Sequence, residues 1–360
     1  MNPPGRRGSA RPRILFVATD LSTGGGVNKV IRDLAVLFCG RLSTDVTVVD
    51  ARSDRPPSYA FPSDIAVKSH RRQSLIAYFF LLLRLRRLRP DVVVSSWTHD
   101  NILVTLAFLF SRSRVVLVEH SSWNFHGRAI RLLRRLVYPL ASDVVVLNRR
   151  DLDHYERYLT NVRLIPDPVA PPVGLRRSRE KLILAVGHLE PLKQFDHALR
   201  AMADARLEED GWSLVIIGSG SEGPRLTRLV ADLDLKNTRI LPPSDDLGAW
   251  YARASLFVLT SRLESFSLVL AEAMAAGVVP IAYASDGPSF ILEQFPEHLV
   301  PIGDVRGLAA RLGRFAGDPN LDPLRQELRA SIECRFSAEA IATRWQDLIR
   351  LPPCQSAEHC

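Results

Sequence analysis

The chain has 360 residues, 46% hydrophobic and 24% charged, which suggests two domains and excludes a disordered tail, a fibre or a small disulfide-stapled scaffold. Cys39, Cys334, Cys354 and Cys360 are too scattered for a disulfide framework or a paired zinc site and suit a reducing cytoplasm. The net charge of +8 is uneven: residues 1–172 hold 26 basic against 14 acidic side chains, the remainder 21 against 25, so the first half is expected to meet a polyanion or an anionic membrane. Zinc-finger, RNP and basic-zipper patterns are missing, which sets nucleic acid aside.

Residues 1–12, rich in Arg, Pro and Gly, lack the apolar stretch of a signal peptide and read as a tail. A first strand is expected at Ile14–Ala18, then a glycine loop and an amphipathic helix over Val27–Phe38. Strands at Val46–Val49, Ile65–Lys68, Val92–Ser95, Val115–Glu119, Val144–Leu147 and Val162–Ile165 alternate with helices near 72–89, 100–110, 127–138 and 150–159. The apolar run Leu75–Leu83 is far shorter than the roughly 20 residues that span a bilayer. Four prolines within Pro166–Pro172 predict a stiff linker. The alternation then restarts with strands at Leu182–Val186, Ser213–Ile217, Thr238–Leu241, Leu256–Leu259, Val279–Tyr283 and near Leu299–Ile302, closing with helices near 304–317, 322–335 and 338–350. Such alternation predicts two doubly wound α/β domains, 13–168 and 169–336, facing across a cleft, with a short tail at 351–360. Ligands should then lie outside the carboxyl ends of the strands.

Two glycine loops follow strands. Gly218-Ser219-Gly220-Ser221-Glu222-Gly223 matches the dinucleotide fingerprint, but no acid ends the next strand, where Thr238–Leu241 runs into Pro242-Pro243. A tight strand-to-helix turn is the better reading. Gly24-Gly25-Gly26 is costly to order. Close approach of a phosphate or sugar explains the triplet better than a bare turn, though a loose surface loop stays open.

The densest signal is Ser261 to Gly277. Glu264 sits in a polar loop, a helix is expected to begin at Ser265–Ser267, and Gly277 is its C-cap. Amides at that helix start favour an anion such as a diphosphate. Glu272, placed roughly 8–10 Å down the axis among Ala271, Ala273, Met274, Ala275 and Ala276, would be a buried carboxylate in need of a partner.

This segment resembles the E-x7-E region of retaining glycosyltransferases of the family-4 (group 1) type, which have the two-domain GT-B fold. Further resemblances are Val186-Gly187-His188-Leu189-Glu190-Pro191-Leu192-Lys193, Val215–Gly220, Leu164–Val169, Asp286–Ser289, and Ser337–Leu348 with Trp345 as a helix crossing back to the first domain. The resemblance implies sugar transfer from a nucleotide-sugar donor, UDP- or GDP-linked, with retention and without a metal or other cofactor. Asp151-Leu152-Asp153 falls on an expected helix and so is not a metal motif.

By the same resemblance Glu264 would contact the donor sugar and Glu272 the ribose. Lys193 and the amides of Phe266, Ser267 and Leu268 would hold the diphosphate, with Gly25, Gly26, Gly187 and Gly218 lining the site. Preorganised cations and amides would stabilise the charge of the leaving group. His188 stands where relatives carry arginine, and a histidine is largely uncharged at pH 7. Phe290 replaces a frequent carboxylate. His120, after Val118-Glu119, resembles the histidine beside the donor sugar, although a hydrogen bond to a neighbouring loop would also explain it. His99 is an acceptor-side candidate, while His126, His154 and His197 are expected to be solvated.

The acceptor implied is a saccharide, lipid-linked or free, in envelope polysaccharide or glycolipid synthesis. A sugar-nucleotide epimerase of GT-B fold and a non-catalytic nucleotide-sugar binder are the alternatives. Arg84, Arg86, Arg87 and Arg89, and Arg128, Arg131, Arg134 and Arg135 among leucines, suit a peripheral site on the inner face of a membrane.

Overall fold

A computed structural model describes residues 11–71, 74–170 and 179–349. The expected tails, apart from Arg11 and Pro12, and Pro171-Pro172 of the linker lie outside these residues. The chain divides into two compact units, one ending at Pro168 and resuming at Ala338, the other running Val169–Ser337.

The first unit runs β1 (Arg13–Ala18), α1 (Gly26–Gly40), β2 (Asp45–Asp50), β3 (Ala66–Ser69), α2 (Leu75–Leu85), β4 (Val92–Ser95), α3 (Thr98–Phe108), β5 (Arg114–Glu119), α4 (Arg128–Val137), β6 (Asp143–Val146), α5 (Arg149–Tyr155) and β7 (Val162–Leu164). Its seven strands are all parallel, in the order β3-β2-β1-β4-β5-β6-β7. The chain therefore leaves β1 toward one edge and returns to β4 on the other side, so the strand order reverses between β1 and β4. β-Branched runs such as Val92-Val93-Val94 and Val144-Val145-Val146 are buried on both faces, the pattern a helix-covered parallel sheet requires. Each fully buried valine or leucine contributes roughly 1.5–3 kcal/mol.

The second unit repeats the scheme with β8 (Glu180–Val186), α6 (Phe195–Asp204), β9 (Ser213–Ile217), α7 (Gly223–Asp232), β10 (Thr238–Leu241), α8 (Leu247–Arg253), β11 (Ala254–Leu259), α9 (Leu268–Ala275), β12 (Val279–Tyr283), α10 (Asp286–Ile291), β13 (Leu299–Val300), α11 (Val305–Ala316) and α12 (Asp322–Phe336). Its parallel order is β10-β9-β8-β11-β12-β13, with the reversal between β8 and β11. The next helix, α13 (Ala338–Ile349), packs on α1 of the first unit. There Trp345 meets Phe38 edge-on at 5.3 Å between ring centres, and Phe38 meets Phe16 at 5.4 Å.

Two expectations need correction. Pro166, Asp167, Pro168 and Val169, expected as part of a stiff linker, are buried and packed into the fold: Val169 N–H donates to Phe336 O at 2.8 Å. The helix carrying Glu272 begins only at Leu268, because Ser267 adopts a left-handed conformation (φ 81°, ψ 76°). Glu272 is thus only four residue steps in, roughly 6 Å along the axis. At the other end Gly277 (φ 73°) closes a Schellman motif, its N–H on Met274 O (2.8 Å) and that of Val278 on Ala273 O (2.9 Å).

Candidate active site

In the second unit the reversal between β8 and β11 brings together the loops that leave those strands. The β8 loop is clamped from one side by the β9–α7 turn: Leu189 N–H donates to Ser219 O (2.8 Å) and Glu222 N–H to Leu189 O (2.8 Å). A Cβ on Gly218 would lie 1.9 Å from Gly187 O, and one on Gly220 would lie 2.4 Å from Leu189 O. The fingerprint-like glycines are therefore explained by backbone packing beneath Gly187–Leu189, and Gly218 serves the site through that contact.

From the other side the β8 loop is tied to the β11 loop. Arg262 N–H donates to Leu192 O (2.9 Å) and Thr260 Oγ1 to Lys193 O (2.7 Å). These bonds set a one-turn 3-10 segment, Pro191–Lys193, so that Lys193 Nζ lies 2.5 Å from Glu264 Oε1, the side chains 26% and 13% exposed. Glu264 is fixed from behind by Gly287, whose N–H donates to Glu264 O at 2.8 Å. Residue 287 must lack a side chain, since a Cβ there would sit 2.4 Å from Phe266 O. Phe266 is buried edge-on against Phe336 (5.3 Å). His188 is exposed on the same loop. Phe290 packs against Phe336 and under the Arg335 guanidinium.

Glu272 is buried one turn into α9 and accepts from Tyr251 OH at 3.2 Å. Burial, then the charge of Glu272, hold the Tyr251 phenol well above its ordinary pKa, so it stays a donor. Tyr251 supplies the partner that a buried carboxylate needs. The structure thus brings Lys193, Glu264 and Ser267 together on two tied loops, with Glu272 one turn behind.

In the first unit the reversal falls between β1 and β4. The loop after β1 is anchored by Asp50, which accepts from the N–H groups of Asp20 (3.0 Å), Leu21 (2.8 Å), Arg52 (3.2 Å) and Ser53 (3.2 Å). Asn28 Nδ2 donates to Asp20 O and Thr23 O. Gly25 is the extended N-cap of α1, and a Cβ on Gly24 or Gly26 would meet nothing within 4 Å. The protein's own packing does not demand glycine at 24 or 26.

His120 ends β5. Its Nδ1 is 3.8 Å from Asp167 Oδ2, with both side chains buried, and its Nε2 has no hydrogen-bond partner among the described residues. Burial lowers the His120 pKa to about 4 and raises that of Asp167 to about 8. Burial thus favours the neutral form of each partner.

Sequence reasoning missed the buried hub beside it. Glu119 accepts from Thr98 Oγ1 (2.7 Å), Tyr138 OH (2.6 Å) and Ser121 N–H (3.2 Å), and pairs with Arg134 Nη1 at 3.4 Å. Arg134, grouped above with the exposed arginines, is 2% exposed and also donates to Tyr155 OH (2.7 Å) and to Trp123 O. It is removed from the basic surface, because a guanidinium is buried where a carboxylate and carbonyls receive it.

The expected solvation of three histidines is corrected as well. His126 shares a hydrogen bond with Thr98 Oγ1 (3.0 Å), His154 stacks on Trp123 (4.1 Å), and His197 shares one with Tyr283 OH (2.9 Å). His99 is exposed, edge-on to His126. Asp151 and Asp153 lie on α5, where Asp151 accepts from Trp123 N–H. Among the described residues no three His, Cys, Asp or Glu side chains are grouped to hold a metal, and no helix is long and apolar enough to cross a membrane.

Residues 169–332 match the family model described as "Glycosyl transferases group 1", and residues 24–171 match "Glycosyltransferase Family 4". An exopolysaccharide phosphotransferase of Streptomyces coelicolor is 35% identical over 73% of this chain, which spans 29% of that protein's length. An α-1,4-N-acetyl-D-galactosaminyltransferase of Campylobacter jejuni, named for an undecaprenyl-diphosphate-linked acceptor, is 27% identical over 94% of this chain and 98% of its own length. Among solved structures, TarM of Staphylococcus aureus, in complex with UDP, superposes with a TM-score of 0.80 at 13% identity, covering 94% of this chain and 100% of that one.

Proposed function

Because the chain belongs to the group 1 glycosyltransferases and has their GT-B fold, we propose that it moves a sugar from a nucleotide-sugar donor, with retention and without a metal, to a lipid-linked saccharide in envelope polysaccharide synthesis. The single observation that carries the donor side is the Lys193–Glu264 pair at the strand-order reversal of the second unit, beside the N-terminus of α9.

Lys193 and the amides of Phe266, Ser267 and Leu268 would receive the diphosphate. As the bond to the anomeric carbon breaks, negative charge grows on the departing phosphate, and a fixed ammonium with aligned amides stabilises it without reorganising. Glu264, held by Lys193, would then orient sugar hydroxyls, and Glu272 would accept from the ribose. His120, neutral through burial, would offer a hydrogen bond near the sugar.

The acceptor reading draws on the Campylobacter relative's name and on the surface of the first unit. Leu75, Ile76 and Phe80 of α2 and Leu132 and Leu136 of α4 are exposed, with Arg128 and Arg135 exposed and Arg131 half-buried between the α4 leucines. Helices α2 and α4 both pack on α3. Apolar side chains beside arginines suit a surface of anionic lipid.

A thermal-shift panel of UDP, GDP, ADP and their sugar conjugates should find one base that raises the Tm. A coupled nucleotide-release assay with that donor should then register transfer. Failure of every nucleotide to shift the Tm would defeat the reading.

A further inference from the structure

Aromatic rings gather where β4 and β5 end. These strands run parallel with Ser95 opposite Leu117. The loop after β4 carries Trp97 and His99, and the loop after β5 carries Phe125 and His126. Trp97 is 38% exposed and Phe125 52%. Three of the rings touch in sequence: Phe125 meets His126 edge-on at 5.0 Å between ring centres, and His126 meets His99 edge-on at 5.5 Å. A single exposed apolar residue is ordinary. A group of rings at the carboxyl ends of doubly wound strands lies where such sheets take ligands.

The imidazole in the middle is held in one tautomer. Thr98 Oγ1 lies 2.7 Å from Glu119 Oε1 and 3.0 Å from His126 Nε2. A hydroxyl has one proton to give. The buried Glu119, paired with Arg134, takes it, so the other bond runs from His126 Nε2–H to Thr98 Oγ1. In the neutral ring Nδ1 then keeps its lone pair. Burial is the largest influence on His126 and lowers its pKa from the ordinary value, which favours that neutral form. His126 is half-buried, and among the described residues its ring makes no other hydrogen bond. The relay from Glu119 through Thr98 therefore leaves an acceptor nitrogen among exposed rings.

We propose that these two loops bind a neutral saccharide, with a sugar hydroxyl donating to His126 Nδ1 and the apolar face of a pyranose ring lying on Phe125. This deepens the acceptor side of the reading above by naming the side chains that select the sugar. Sugar C–H groups carry partial positive charge and suit the negative face of an aromatic ring. A phosphate would meet that face and the lone pair with charge of the same sign. Arg128, exposed two residues beyond His126, makes phosphate the necessary comparison.

The test is NMR of the full chain carrying isotope-labelled histidine, with the His126 signals identified by their loss in His126→Gln. The probes are methyl glycosides of glucose, galactose, N-acetylglucosamine and N-acetylgalactosamine, with inorganic phosphate and uridine for comparison. At neutral pH the His126 ring should be protonated on Nε2 and bare on Nδ1. One or more glycosides should shift Nδ1, and phosphate and uridine should not. His126→Gln keeps a donor for Thr98 but has no acceptor in place of Nδ1, and Phe125→Leu removes the ring. Each should bind the responding glycoside about 3- to 10-fold more weakly, with a Tm near wild type. Undiminished glycoside binding in His126→Gln would show that the histidine serves packing alone and would overturn the proposal. So would a proton on Nδ1, or a response to phosphate or uridine instead of a glycoside. If no glycoside responds while a nucleotide still raises the Tm, this inference falls and the donor reading stands. A glycoside response with none to UDP, GDP or ADP would keep the saccharide site and defeat the donor reading.

Discussion

Replacing Lys193 by methionine removes one charge but changes the local balance twice. In the wild type the Lys193 ammonium lies 2.5 Å from Glu264 Oε1, so the pair is neutral toward an arriving diphosphate. In Lys193→Met the attraction is gone and Glu264, only 13% exposed, is left as a bare negative charge. Two unit charges about 4 Å apart interact by about 1 kcal/mol in water and about 4 kcal/mol at an effective dielectric of 20. Lys193 is a quarter exposed, so solvent screening brings the expected loss to about 2–3 kcal/mol, or roughly 30- to 150-fold in affinity.

The double variant Lys193→Met/Glu264→Gln restores neutrality and should regain about 1–2 kcal/mol of that loss. Calorimetry of the preferred nucleoside diphosphate at two salt concentrations measures both effects. The single-variant penalty should shrink as salt rises. Affinity within twofold of wild type in Lys193→Met, or a double variant no tighter than the single, would refute the electrostatic account.

Two further outcomes follow from the first unit. Arg135→Glu with Arg131→Glu should weaken co-sedimentation with anionic liposomes and leave the Tm near wild type. Arg134→Leu should instead destabilise by about 3–5 kcal/mol, because it strands the buried Glu119; equal binding to neutral liposomes would defeat the membrane reading. Asp167 holds its proton in the folded chain up to about pH 8 but releases it near pH 4 when unfolded, so its contribution to stability is lost as pH rises toward 8. His120, lowered to about 4, acts in the opposite sense below its ordinary value of 6.5 and is silent above it. Between pH 6.5 and 8.5 the Tm of Asp167→Asn should therefore fall less than that of wild type. Parallel curves would show that Asp167 is ionised in the folded state.

The strand–helix alternation and the glutamate-bearing helix were legible because each is written in local periodicity or in a run of neighbouring residues. Contacts between distant residues were not. Lys193 and Glu264 are 71 positions apart, and each alone reads as a polar loop residue. Arg134 has the helical spacing of its exposed neighbours. Only the arrival of Glu119 from β5 decides that it turns inward. Four prolines between Pro166 and Pro172 say nothing about whether a segment is covered, and so Asp167 read as a linker residue. Ser267 was the least legible: a serine gives no sign of a left-handed backbone, and the start of α9 was placed too early for that reason.

The packing of α13 on α1 also bears on synthesis of the chain. The first unit's strands leave the ribosome early, yet the helix that covers Phe38 with Trp345 is made only after the whole of Val169–Ser337. At ribosomal speeds of about 5–20 residues per second, that delay is roughly 8–35 s. Throughout it, the apolar side of α1 that later receives Trp345 has no partner from its own chain. This half-finished surface is where a trigger-type chaperone would be most useful. A nascent chain stalled before Ala338 should be markedly more prone to aggregate than one stalled after Ile349.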